Sequence, residues 1–168
     1  MEKKIGIFYG STTGNTEEVA NKIAQALGVA SDDIHNVGNS APSEVAPYDV
    51  LILGSSTWGS GELQDDWYDF LSGLSVLDLS GKKIGLFGCG DDTMSDTFCG
   101  AVGILYERLQ KTGAEFIGEG YGTKGYEYSE TPADIDGKIV GLLIDNVNHS
   151  DITDERVKEW TDIVKKEI

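Results

Sequence analysis

Positive charge is what this chain has least of. Lysine and arginine number 13 against 29 aspartates and glutamates in 168 residues, a formal net charge of −16 at pH 7. That balance disfavours nucleic acid and anionic membrane as partners and favours positively charged proteins met by electrostatic steering. Taken alone, it is equally the mark of a solvated acidic surface. Cysteine and histidine number two each. Cys89 and Cys99 do not form a C-x-x-C pair, and with the histidines they make no metal site of recognisable spacing. No apolar stretch reaches membrane-spanning length. The opening Met1-Glu-Lys-Lys leads directly into an apolar run, so no signal peptide is visible and a cytoplasmic location is expected. Internal repeats and low-complexity tracts are also missing.

What is present is the composition of a globular protein. Hydrophobic residues make up 39% and aromatics 9%, and the length suits one domain, 1–168. Apolar runs at 5–9, 49–54 (DVLILG) and 83–88 (KIGLFG) are too short for helices and unbroken, as parallel strands covered on both faces tend to be. A weaker strand is expected over 33–37. Another starts at 115–118 and resumes at 138–144. Helical spacing of apolar residues predicts helices over 16–27, from near Glu62 (with Leu63, Trp67, Phe70, Leu71 and Leu74 inward), over 98–112 and over 153–167. The last has Thr153 as its expected N-cap, acids in the first turn and lysines in the last. Alternation of this kind reads as a doubly wound α/β fold: a five-stranded parallel sheet with helices on both faces. Residues 118–138, rich in glycine and tyrosine, interrupt the fifth strand. They read as an extra hairpin packed on the sheet or as a docking surface.

Three polar loops, at 10–16, 55–61 and 88–97, each follow a strand, so they converge beyond one edge of the sheet, where open α/β folds bind ligands. The first, Gly10-Ser-Thr-Thr-Gly-Asn-Thr16, has glycines for close backbone approach and four hydroxyls. Its position at a helix N-terminus suits an anion. It has neither the lysine of a nucleoside-triphosphate loop nor the spacing of the dinucleotide fingerprint. Neutral donors alone fit one terminal phosphomonoester. The alternative is an ordinary polar turn with Thr16 as N-cap.

In combination these stretches resemble flavodoxin, over essentially the whole chain. Ser11-Thr-Thr-Gly-Asn-Thr16 matches that family's [ST]-x-T-G-x-T phosphate loop. Thr57-Trp-Gly-Ser-Gly-Glu-Leu-Gln64 is similar to its first flavin-ring loop and Gly88-Cys-Gly-Asp91 to its second. The insertion is similar to that of the long-chain subgroup. The resemblance implies a low-potential one-electron carrier, not an enzyme, with non-covalently bound flavin mononucleotide (FMN). It implies transient encounters with a positively charged reductase and acceptor enzymes, as a monomer. Ser11, Thr12, Thr13, Gly14, Asn15 and Thr16 would take the phosphate. Ser56 and Thr57 would line the sugar and ring, and Trp58 would stack on one face, worth about 1 kcal/mol beyond area burial. Backbone groups of Gly59, Ser60, Cys89 and Gly90 would bond the ring's polar edge. The Gly59–Ser60 peptide is expected to turn on reduction, which glycine eases. Where the family usually places a tyrosine on the other face, this chain has none, and Met94 is the candidate; otherwise that face is open.

Asp91, Asp92 and Asp96 would sit near the reduced, anionic ring. One like charge at ~10 Å with an effective dielectric of about 20 costs roughly 1.7 kcal/mol before screening. That is on the order of 70 mV for one electron at ~59 mV per tenfold. Two rivals differ in class. A quinone reductase on the same fold would need a substrate pocket over the ring. A phospho-receiver domain would need paired acids after the first strand, where this chain has Gly10-Ser-Thr.

Overall fold

The computed structural model describes residues 4–10, 14–58, 62–90, 98–123, 126, 131–146 and 148–168. In chain order the strands are β1 (Ile5–Gly10), β2 (Ile34–Asn36), β3 (Val50–Trp58), β4 (Glu62–Leu63), β5 (Lys83–Cys89), β6 (Glu115–Ile117), β7 (Asp134–Ile135), β8 (Lys138–Ile139) and β9 (Leu142–Ile144). The helices are α1 (Asn15–Leu27), α2 (Trp67–Leu74), α3 (Gly100–Leu109) and α4 (Thr153–Glu167).

The sheet runs β2-β1-β3-β5, and both β6 and β9 occupy its fifth position, all parallel. β6 pairs with Lys83 to Gly85 and β9 with Phe87 to Cys89, so one strand position is filled by two short pieces. This is the interrupted fifth strand expected from the sequence. Its second piece is shorter than the expected 138–144. Lys138 and Ile139 instead form a small antiparallel hairpin with Asp134 and Ile135. Asp136 and Gly137 turn it with positive φ.

Alternating strand residues feed two cores. Ile7, Val50, Ile52, Phe87, Leu142 and Ile144 pack with α1 and α4, around the fully buried Trp160. Phe8, Leu51, Leu53, Ile84, Leu86 and Leu143 pack with α2 and α3, around Trp67 and Phe98. Apolar residues face both ways along β1, β3 and β5, as a sheet covered on both faces requires.

Three element boundaries differ from the sequence expectation. The second helix begins at Trp67, not near Glu62, because Glu62 and Leu63 pair antiparallel with Trp58 and Thr57. Leu63 is buried as a helical stripe would have it, but from a strand. The third helix is shorter than 98–112 and ends in a 3-10 turn over Gln110–Thr112. Thr153 lies inside the first turn of α4, and its hydroxyl bonds Asn146 Oδ1 instead of capping the helix.

Candidate functional site

Register fixes the candidate site. Gly10 is level with Ser55, Ser55 with Gly88, and Cys89 with both Ser56 and Ile144. The chain therefore leaves β1, β3, β5 and β9 along one edge of the sheet. Between β1 and β3 the strand order reverses, so this edge includes the crevice where doubly wound sheets take ligands.

At the first exit the chain turns into α1 through Gly14, in the left-handed region with φ 93° and no side-chain cap. A Cβ there would meet nothing within 4 Å among the described residues. Thr16, one residue inside the helix, is fully buried. Its Oγ1 has no hydrogen-bond partner among the described residues, although the Cys89 thiol is a close neighbour. A buried hydroxyl without a partner costs roughly 1–3 kcal/mol. Beside the free N–H groups of a helix N-terminus, it is a donor set aimed at a ligand oxygen. Glu17 and Glu18 in the same turn are exposed; Glu17 faces the Tyr9 hydroxyl and Glu18 lies 3.9 Å from Lys22 Nζ. The cap is Gly14, so the alternative of Thr16 as N-cap does not hold.

The second exit is braced from below. Ser55 Oγ accepts from the Gln64 backbone N–H at 3.1 Å and donates to Ser56 O at 2.8 Å. Trp67 donates its indole N–H to Gly54 O at 2.7 Å. A Cβ on Gly10 would lie 2.6 Å from Trp67 Cδ1 and 2.5 Å from Gln64 Oε1, so glycine lets β1 pass over this brace. Thr57 Oγ1 accepts the Ala101 N–H at the start of α3, 3.2 Å away.

At the third exit Cys89 is buried against Ile144. Burial pushes its thiol up to about 12, so it is a neutral wall and not a nucleophile. Gly90 donates its N–H to Ile144 O at 2.9 Å, which ties the start of this exit to the end of β9. Cys99, on the far side of this loop, lies in the other core and is also held protonated by burial. Asp145, fully buried at the end of β9, accepts from Asn148 N and Nδ2 at 2.8 and 2.9 Å.

Of the expected site residues, Gly14, Asn15, Thr16, Ser56, Thr57, Cys89 and Gly90 come together on this edge. Ser11, Thr12, Thr13, Gly59, Ser60, Asp91, Met94 and Asp96 lie outside the described residues, as does the Trp58 side chain. Asp92 does too. Sequence reasoning missed the supports: Gln64 and Trp67 under the second exit, and Asp145, Tyr126 and Arg156 beside the third. Arg156 had a legible signal. It falls on the buried stripe of α4 with Thr153, Val157, Trp160 and Val164, where a charge needs an explanation. The explanation is its guanidinium, 4.9 Å from the Tyr121 ring centroid and 4.5 Å from that of Tyr126, both in the insertion. Among the described residues no group of three or more His, Cys, Asp or Glu could hold a metal ion. Nor, among the described residues, is any helix long and apolar enough to cross a membrane.

Comparison with known proteins agrees with this geometry. The flavodoxin family profile matches residues 7–160. A flavodoxin from Nostoc sp. (strain PCC 7120) is 40% identical over 168 residues, spanning 99% of this chain and 98% of its own. Flavodoxin 1 of Azotobacter vinelandii is 43% identical over 169 residues, spanning 98% and 97%. Among solved structures, Fusobacterium nucleatum flavodoxin bound to flavin mononucleotide aligns with a TM-score of 0.89 at 34% identity, covering 99% of both chains. With the sheet order, the converging exits and the split fifth strand, these matches show that the chain belongs to the flavodoxin family and has the insertion of its long-chain members.

Proposed function

We propose that this protein binds FMN non-covalently along the C-terminal edge of its sheet and carries single electrons between redox partners. The buried Thr16 hydroxyl at the mouth of α1 carries the reading, because among the described residues only the Cys89 thiol, a weak partner, neighbours it where the phosphate would lie. Bound FMN supplies the one-electron chemistry. The protein's residues bind, orient and shield it. Ser11, Thr12, Thr13, Gly14, Asn15 and Thr16 hold the phosphate with neutral donors and the helix dipole. Ser56 and Thr57 line the sugar, and Trp58 and Met94 flank the ring. Backbone groups of Gly59, Ser60, Cys89 and Gly90 meet its polar edge. Asp91 and Asp96 supply negative charge that lowers the second reduction potential.

Glu17, Glu18, Asp65, Asp66, Asp151, Asp154 and Glu155 are exposed at the starts of α1, α2 and α4, on the candidate-site side. Lys4, Lys82, Lys83, Lys111, Lys165 and Lys166 collect at the opposite end, where Asp32, Asp49, Asp78, Glu115 and Glu167 offset them, so the net negative field lies on the site side. Such a field turns the site toward a positively charged partner, whose encounters are transient and weakened by salt. The test is reconstitution of flavin-free protein. FMN is expected to bind much more tightly than riboflavin, which has no phosphate, and the loaded monomer is expected to show no steady turnover of a nicotinamide cofactor. Equal affinity for the two flavins contradicts the phosphate assignment. Sustained turnover favours a flavin enzyme.

A further inference from the structure

We propose that the inserted segment is a positioning device, in which Thr131, with Tyr126 behind it, fixes the Phe98–Cys99 hinge and so sets Gly90 and Thr57. The geometry stands by itself; its consequence for flavin rests on the function proposed above.

The segment leaves the sheet after β6 and crosses the start of α3 before returning as β9. The crossing is close: a Cβ on Gly103 of α3 would lie 2.3 Å from Pro132 O. Beside it, the nearly buried Thr131 donates its hydroxyl to Phe98 O and accepts the Ala133 N–H at 3.1 Å. Val140 N–H ties Ala133 O to the return strand at 3.0 Å. Tyr126 meets the Phe98 ring edge-on, with centroids 5.3 Å apart. Its oxygen accepts the Asp145 N–H at 3.1 Å, and Arg156 covers its face.

The hinge needs such support. Cys99 is one of two non-glycine residues with positive φ among those described, at 50°. An L-residue adopts that conformation at a cost, and its surroundings must hold it there. Its thiol lies 3.6 Å from Gly88 O and 3.8 Å from Ile144 O, one weak donor between two strand ends. Gly90 lies against it, since a Cβ on Gly90 would be 3.0 Å from Cys99 N. Gly90 N–H bonds Ile144 O, and Ala101, two residues past the hinge, bonds Thr57 Oγ1. One strap from the insertion therefore reaches both the second and the third exits.

The test is amide hydrogen exchange on the full chain. Thr131→Val removes the hydroxyl at near-constant volume, Thr131→Ser keeps it, and Gly103→Ala wedges the strap off α3. In Thr131→Val and in Gly103→Ala, exchange at Gly90 and Ala101 is expected to rise about fivefold, the equivalent of one net hydrogen bond. Ile23 in α1 is expected to stay unchanged, and Thr131→Ser to behave like the parent protein. FMN and riboflavin are expected to bind Thr131→Val about fivefold more weakly, with their ratio preserved because the phosphate end is untouched. Unchanged exchange at Gly90 and Ala101, or a rise shared with Ile23, overturns the proposal. A loosened hinge with unchanged flavin affinity overturns its functional half. If the parent protein binds no flavin, the function proposed above fails while exchange still decides the positioning role.

Discussion

Replacing Thr16 by valine has opposite effects on the flavin-free and flavin-bound protein. In the free protein the Thr16 hydroxyl is fully buried and unpartnered among the described residues. Valine has the same shape and removes the desolvation penalty, so stability is expected to rise by about 1 kcal/mol, at the low end of the 1–3 kcal/mol range for such a group. For a chain of this length that is about 2–4 °C in Tm. In the bound protein the same hydroxyl would donate to a phosphate. A hydrogen bond to a charged group is worth about 1.5–3 kcal/mol, so FMN is expected to bind roughly 10- to 150-fold more weakly. Riboflavin has no phosphate and its affinity is expected to stay constant. Thermal melts of the flavin-free protein and fluorescence titrations with both flavins check the two signs. A lower Tm would mean that the neighbouring Cys89 thiol already satisfies the hydroxyl. Equal weakening of both flavins would move Thr16 out of the phosphate site.

Three more outcomes are expected. Burial holds the Cys89 thiol near 12 against an ordinary value near 9. Between those values the folded state keeps a proton that the unfolded chain has lost, so stability is full below about pH 9. It falls by about 1.4 kcal/mol per pH unit above that from this group. Urea melts from pH 8 to 11 check this, and Cys89→Ala should make the slope shallower by this amount while the contribution of the buried Cys99 remains. Gly54→Ala places a Cβ 2.1 Å from Phe87 Cζ in the middle of the sheet. It should cost about 1–3 kcal/mol by overpacking, and an unchanged melt would show that Phe87 has room to move. Electron transfer to a basic partner should slow as ionic strength rises through 0.1 M, where the screening length is about 10 Å. A flat salt dependence would remove the acidic face from docking.

Much of the fold was legible because its signals are local. The runs in β1, β3 and β5 are short, apolar and punctuated by glycine, and helices of regular spacing fill the gaps between strands. The three loops were legible as a set because each follows a strand end. Where the sequence misled, tertiary pairing overrode a local pattern. Leu63, Trp67, Phe70 and Leu71 keep helical spacing, yet Leu63 is buried by pairing with Thr57. Lys138 and Ile139 read as continuous with 140–144, but Gly141 closes tightly on Leu86 O and separates the hairpin from the sheet. The insertion was the least legible part. Its contacts run from Thr131 to Phe98 and from Tyr126 to Asp145 and Arg156. No periodicity links residues so far apart in sequence. Of its two readings, the hairpin is present as β7 and β8.

The most direct test of the electron-carrier reading is an anaerobic reductive titration of the FMN-loaded protein followed by visible absorbance. Two resolved one-electron steps, with a long-wavelength band rising and then falling between them, are the predicted result. A single two-electron bleaching without that band would contradict the carrier and favour a flavin enzyme on the same fold.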